Sequence, residues 1–394
     1  MTDGAGAKRL LLINGRVHSP SHPEATAMAV SDGVVAWLGG DEVGLEQFPD
    51  DEQIDLNGGF VAPAFVDSHV HLTATGLRIT GLDLSAATGV DHCLRLLAEY
   101  VAAHPGEPVW GHGWDDTTWP RPPHLVRAEA RRLLTVGQRA AARRAALDLA
   151  ASAGIVAVHE CAGPDIGGLQ DWEELRDTRH GVEVLGYWGE AVGTAAQARV
   201  LIEATGARGL AGDLFVDGAL GSRTAWLCEP YADATGACGT CYLDVEAITE
   251  HLFACTEAGV TAGFHVIGDA AVTAAVAALA RTVERFGAPA VARCGHRLEH
   301  LEMVSAEQAR KLGSWGVIAS MQPGFDARWG GENGMYARRL GATRAARLNP
   351  LALLASAGVP LAFGSDSPVT AVDPWNWVRA AASHRTAGSA VSVR

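Results

Sequence analysis

The chain predicts an α/β fold in which eight strands, joined by helical crossovers, close a parallel barrel behind a small N-terminal β region. Two observations carry this. From residue 61 onward, compact apolar runs rich in Val, Ile and Phe alternate with Ala/Leu/Arg-rich stretches of helical period. The apolar runs are also nearly continuous rather than alternating, as expected of strands covered on both faces.

Residues 1–9 are small and polar and are expected to be disordered. Residues 10–60 break into "LLLING", "ATAMAVSDG" and "VVAWLGG", with Asn14-Gly15 and Asp32-Gly33 as hairpin signals. The barrel is expected over 61–394. Its strands read as "FVDSHVHL" (65–72), "GIVAVHE" (154–160), "VEVLGYWG" (182–189), "DLFVDG" (213–218), "GFHVIGD" (263–269), "HRLEH" (296–300), "VIASMQP" (317–323) and "LAFGSD" (361–366). Between them lie helices such as "AAVTAAVAALARTVERFG". The stretch around 104–123 is dominated by Trp, Gly and Pro and reads as an insertion between the first and second strands.

Composition narrows the function. With 31 Lys and Arg against 45 Asp and Glu, the formal charge of −14 argues against a nucleic-acid partner. No apolar run reaches the length of a membrane span and the N-terminus lacks a secretory layout, so no membrane partner is expected. Seven cysteines, an odd number in a large chain, read as reduced thiols in a cytoplasm. Cys238 and Cys241 are spaced like a metal knuckle but have no second pair, so they read as loop cysteines. GxSxG, HExxH and Walker signatures are absent.

In a parallel barrel, catalytic groups gather at the C-terminal strand ends. Here those ends carry His69 and His71, Glu160, Asp217, His265, His300 and Asp366. Strand alternation sends His69 and His71 into one site, and sends Glu160 and His159 to opposite sides. Imidazole with carboxylate suits Zn²⁺, with Fe or Ni as alternatives. Each histidine alone reads as a packed residue. Together, His69, His71, Glu160, His265, His300 and Asp366 read as ligands of one or two divalent cations.

The motifs "FVDSHVHL", "VDGALGSRTA", "FHVIGD", "RLEH", "MQP" and "FGSDSPV" resemble the amidohydrolase superfamily, in the family-3 branch that includes the N-substituted formamide deformylases. The resemblance implies a (β/α)8 TIM-type barrel, a small N-terminal β-sandwich and hydrolytic metal chemistry, mostly at C–N bonds. In this branch a carboxylated lysine that bridges two metals often stands two positions before the Phe of the "LF.DG" strand. Here Asp213 occupies that position, so Glu160 is expected to bridge instead, with Asp217 a lesser candidate at the mouth. Relatives carry a longer segment at the Pro123–His124 join and further strands beyond the eighth.

The expected chemistry is water activation by the cation. Asp366 takes the proton and passes it to the leaving nitrogen, His265 and His300 assist at the carbonyl, and His69 and His71 only position the metal. Substrate-binding candidates are Arg223, Trp114, Asp115 and Gln322. Arg223 reads equally as a tie for its Gly-rich loop, Trp114 as packing for the insertion, and Gln322 as a partner of a ligand. By parity Glu299 should face the helical layer, and His296 should be structural. The leading function is hydrolysis of a small amide, formamide or cyclic amide. Ester, lactone or ring deamination would use the same site, and a catalytically silent scaffold is the third reading. Oligomeric state leaves no trace, although a homodimer would be unsurprising.

Overall fold

The computed structural model describes residues 9–113 and 133–383, which fall into two compact units dividing between Ala64 and Phe65. In the first unit, β1 (Arg9–Ile13), β3 (Ala27–Ser31), β4 (Val34–Gly39) and β5 (Glu52–Asp55) form one sheet in the order β4-β3-β1-β5. The short strands β2 (Arg16–Val17) and β6 (Phe60–Val61) pair separately. Asp32-Gly33 turns the β3–β4 hairpin with φ of 52° and 78°, as that dipeptide predicts. Asn14-Gly15 makes no hairpin, because β1 pairs with β3 and β5 rather than with its neighbour β2. Arg9, expected to be disordered, opens β1 and pairs with Asp51 at 3.1 Å.

The second unit is the barrel. Its parallel strands are β7 (Phe65–Val70), β10 (Ile155–Ala162), β11 (Glu183–Trp188), β12 (Gly209–Leu210), β13 (Thr261–Val266), β14 (Arg297–His300), β15 (Ile318–Met321) and β16 (Leu361–Phe363), each hydrogen-bonded to the next. The first and last strands meet: the Asp366 amide donates to the His69 carbonyl at 2.7 Å, and the His71 amide to the Ser367 carbonyl at 2.9 Å. Gly364 permits this seam, since a Cβ there would lie 2.5 Å from the His69 nitrogen. Strands β8 (Leu82–Asp83) and β9 (Gly111–His112) pair with each other outside the barrel, so the described part of the insertion adds no barrel strand.

One strand is displaced from its expected place. Residues 213–218 form only an isolated bridge, Phe215 to His265, and the fourth ladder lies earlier, at Gly209–Leu210. Gly212 at φ 84° ends that ladder and turns the chain toward the barrel mouth.

Three of the described helices open on a capping box. Thr135, Thr194 and Ser305 each close a reciprocal capping box with a glutamine three residues on. Helix Asp269–Phe286 buries Ala271, Ala275, Ala278 and Thr282 on the stripe that faces the sheet. The core fills the space between sheet and helices, with Leu252, Phe264, Leu298 and Leu354 almost wholly buried.

Two histidines in that layer hold uncharged imidazoles. His251 Nδ1 accepts from the Val192 amide and Nε2 donates to the Leu210 carbonyl. His296 Nδ1 accepts from the Ala262 amide while Nε2 meets Thr256 Oγ1 at 2.9 Å. Burial pushes both down to about 4, and for His296 the neighbouring His251 adds to it. Their folded values lie below the unfolded 6.5, so their contribution is complete above about pH 6.5 and is lost as pH falls toward 4. Each is worth on the order of 3 kcal/mol when fully present. Between about pH 7 and pH 5 each histidine therefore takes stability away on acidification, while buried Glu160, Glu302 and Asp67, whose values burial raises, act the opposite way. The difference in melting temperature between a His296→Asn variant and the native chain should shift in the variant's favour on acidification; a constant difference would refute the assignment.

Candidate metal centre

His69 is the penultimate residue of β7, and His71 follows at the N-terminus of helix Leu72–Thr80. As period two requires, the two rings face the same site, with centroids 5.4 Å apart. The barrel seam brings Asp366 beside them, at φ 51°. Beyond Gly212 the chain delivers Asp213 to the same place. His265 on β13 and His300 at the end of β14 complete the ring, with centroids 4.4 Å apart.

The donor atoms converge closely. His71 Nε2 lies 3.1 Å from Asp213 Oδ2 and 3.3 Å from Asp366 Oδ1. His69 Nε2 lies 3.4 Å from Asp213 Oδ1 and 3.5 Å from Asp366 Oδ1. Tetrahedral zinc with bonds of about 2.0–2.1 Å separates its ligands by about 3.3 Å. Asp213 turns a different oxygen to each imidazole, and the donors gather as two triads, His69–His71–Asp366 and His69–Asp213–His300, each within 4.8 Å. Asp213 Oδ1 also lies 4.0 Å from His300 Nε2, so this carboxylate reaches both halves of the cluster.

Several of these atoms are buried without a well-formed hydrogen bond: His69 Nε2, Asp213 Oδ1 and His265 Nδ1. Such atoms cost about 1–3 kcal/mol each unless a ligand satisfies them. Charge tells the same story. Burial works against the charged form of His71, but Asp213 and Asp366 outweigh it and hold the imidazole well above its ordinary value. Burial would raise Asp366 and Asp213, yet the surrounding imidazoles keep both below the usual carboxylate range. The cluster draws positive charge. His300 is the exception: burial, with His265 and His69 beside it, pushes it down to about 3 and leaves it neutral.

Around the donors, the ring is held by hydrogen bonds. Gln322 Oε1 accepts from His300 Nδ1 at 2.6 Å, so Gln322 orients a ring nitrogen and leaves Nε2 facing Asp213. Asp217 accepts from the backbone amides of Trp226, Ile267 and Gly268 at 2.8–2.9 Å and lies 3.8 Å from His265 Nδ1. It ties the loop behind His265 rather than joining the donors. A cavity of about 640 Å³ opens over the cluster, with Leu220, Ile267, Phe325, Trp329 and Met335 on its apolar wall and Glu302 at its edge.

The expected residues divide accordingly. His69, His71, His265, His300 and Asp366 come together. Glu160 does not take the bridging place: its Oε2 accepts from the Leu72 amide at 2.7 Å, and no set of three donors within 4.8 Å includes it among the described residues. Asp213 lies among the donors instead. Next to Glu160 on β10, Cys161 is the residue that points at His69, because alternation puts Cys161 and His159 inside and Glu160 on the other face. Arg223 at φ 58° forks onto Asp233 at 2.9 and 3.0 Å and lines neither cavity beside the cluster. Trp114 and Asp115 lie outside the described residues. Cys238 and Cys241 join no donor cluster among the described residues.

Glu299 corrects the parity argument. It is fully buried inside the barrel, where its Oε2 accepts from His69 Nδ1 at 2.9 Å. Alternation fails here because His300 has φ of 70°, off the extended conformation, so consecutive residues both reach His69. A strand-end histidine followed by an irregular turn was the only sequence sign of this.

The fold and the donor cluster together define a metal-dependent hydrolase of the barrel type. The chain belongs to the amidohydrolase family, in its third branch: the family model matches residues 52–134 and 123–394. It is 27% identical to YtcJ of Bacillus subtilis (strain 168), a protein named as an amidohydrolase, across 88% of this chain and 78% of that one. Protein LONG AFTER FAR-RED 3 of Arabidopsis thaliana is 24% identical across 94% and 77% of the two chains. Among solved structures, an uncharacterized metal-dependent hydrolase from Pyrococcus furiosus superposes with a TM-score of 0.74 at 26% identity, covering 97% of this chain and 90% of that one. None of the described helices of this chain is long and apolar enough to cross a membrane.

Proposed function

We propose that this hydrolase cleaves a non-peptide C–N bond (an amide, formamide or cyclic amide) of a small molecule, with zinc as the resident cation. The observation that supports this best is the gathering of His69, His71 and Asp366, and of His69, Asp213 and His300, into triads whose donor atoms lie within 4.8 Å of one another. A bound cation supplies Lewis acidity and lowers the pKa of water toward neutrality. His69, His71 and Asp213 would hold it. Asp366 takes the proton from water and returns it to the departing nitrogen. His265 faces the carbonyl oxygen as charge develops there, while His300, whose Nδ1 proton is held by Gln322, offers its Nε2 lone pair toward the cluster. The apolar wall of the cavity excludes bulk water and suits a substrate with a hydrophobic substituent.

The test is a screen of N-formyl, N-acyl and cyclic amides with zinc or manganese added, run beside matched esters and lactones. Amide turnover that disappears with a chelator and returns with metal is the expected result. Ester or lactone turnover alone would replace this reading with the alternative one. A protein that binds less than about half an equivalent of metal after reconstitution would be a scaffold.

A further inference from the structure

Beneath the metal donors, inside the barrel, lies a chain of polar contacts that the hydrolytic chemistry leaves unused. Arg297 is 3% exposed and Glu299 is 0% exposed. The guanidinium pairs with Glu299 through Nε to Oε1 and through Nη2 to Oε2, the latter at 2.9 Å. Nη2 also lies 2.6 Å from the Ser68 carbonyl and 2.8 Å from Ser320 Oγ, Nη1 lies 3.1 Å from His159 Nδ1, and the guanidinium face packs on the Tyr187 ring at 4.3 Å. Glu299 then uses Oε2 to accept from His69 Nδ1. Every partner of Arg297 lies within the barrel wall or its filling.

A buried ion pair is a poor route to stability, because desolvating two charges offsets their attraction. Its geometry says what it does instead. A carboxylate can only accept, so Glu299 requires the proton of a neutral His69 to sit on Nδ1. Nε2 is then left with its lone pair toward Asp213 and Asp366. Arg297 grips both carboxylate oxygens and so fixes the plane in which the carboxylate meets the imidazole. We infer that Arg297 and Glu299 are positioning residues that hold His69 in the one tautomer able to bind the cation. The inference rests on the metal reading of the cluster.

The test replaces both members, Arg297→Met with Glu299→Leu, which leaves the net charge unchanged and keeps the barrel filled. Exchanging a buried pair for apolar residues of similar volume leaves stability unchanged or raised, so the melting temperature should not fall. Zinc affinity should drop by about 10- to 100-fold, the range attached to outer-shell partners. Ring ¹H–¹⁵N spectra with His69 assigned should show an Nδ1 proton that exchanges slowly in the native chain, with or without zinc, and rapidly in the variant. Unchanged zinc affinity, or an unchanged exchange rate of the His69 Nδ1 proton, overturns the inference. If the double variant does not fold, Arg297→Leu with Glu299→Met, which also removes both charges, is read by the same two measurements. A native chain that binds no zinc would defeat the metal reading, while the Nδ1 exchange rate would still decide this inference.

Discussion

Replacing Asp213 with alanine is expected to strip the protein of metal, and replacing Glu160 with glutamine is expected to leave it loaded. Asp213 places one oxygen 3.4 Å from His69 Nε2 and the other 3.1 Å from His71 Nε2, whereas Glu160 is engaged with the Leu72 amide. Loss of an outer-shell partner costs about 10- to 100-fold in affinity, and loss of a direct donor should exceed about 100-fold on that scale. Metal content by elemental analysis after dialysis reads the difference. A loaded Asp213→Ala protein alongside an emptied Glu160→Gln protein would reverse the assignment and return the bridge to Glu160.

The Asp366→Asn substitution should separate binding from turnover. Asparagine keeps an oxygen where Oδ1 lies 3.3 Å from His71 Nε2, so metal content should stay near that of the native chain. What it loses is the ability to take a proton. General-base catalysis is worth about 10²- to 10⁴-fold, and kcat and kcat/KM should fall together by about that factor. Native-like turnover of Asp366→Asn on an amide would remove this residue from the proton path.

The barrel was readable in advance because the signals that build it are local: apolar runs of strand length, helical period between them, and glycine or proline at the joins. The histidine pair was readable for the same reason, since alternation between His69 and His71 depends on nothing distant. What escaped were features set by tertiary contact. Asp213 looked like a lost lysine because only the folded chain, bent at Gly212, shows the carboxylate arriving between two imidazoles. Glu299 was sent to the wrong face because alternation assumes extended backbone, and His300 departs from it. Arg223 illustrates a different limit: a lone arginine carries no mark of whether a substrate or an aspartate will occupy its fork, and here Asp233 does.

The seam between the first and last strands has a kinetic meaning as well as a geometric one. Asp67 and Ser365, whose side chains bond across it at 2.6 Å, are 298 residues apart in the sequence. His69 and Asp366 stand immediately beside that bond. A cation held between them would act as a clasp on the 298-residue loop that this bond closes. Loss of the clasp should be felt first as faster opening of this seam, while the helices and ladders on the far side of the barrel stay closed.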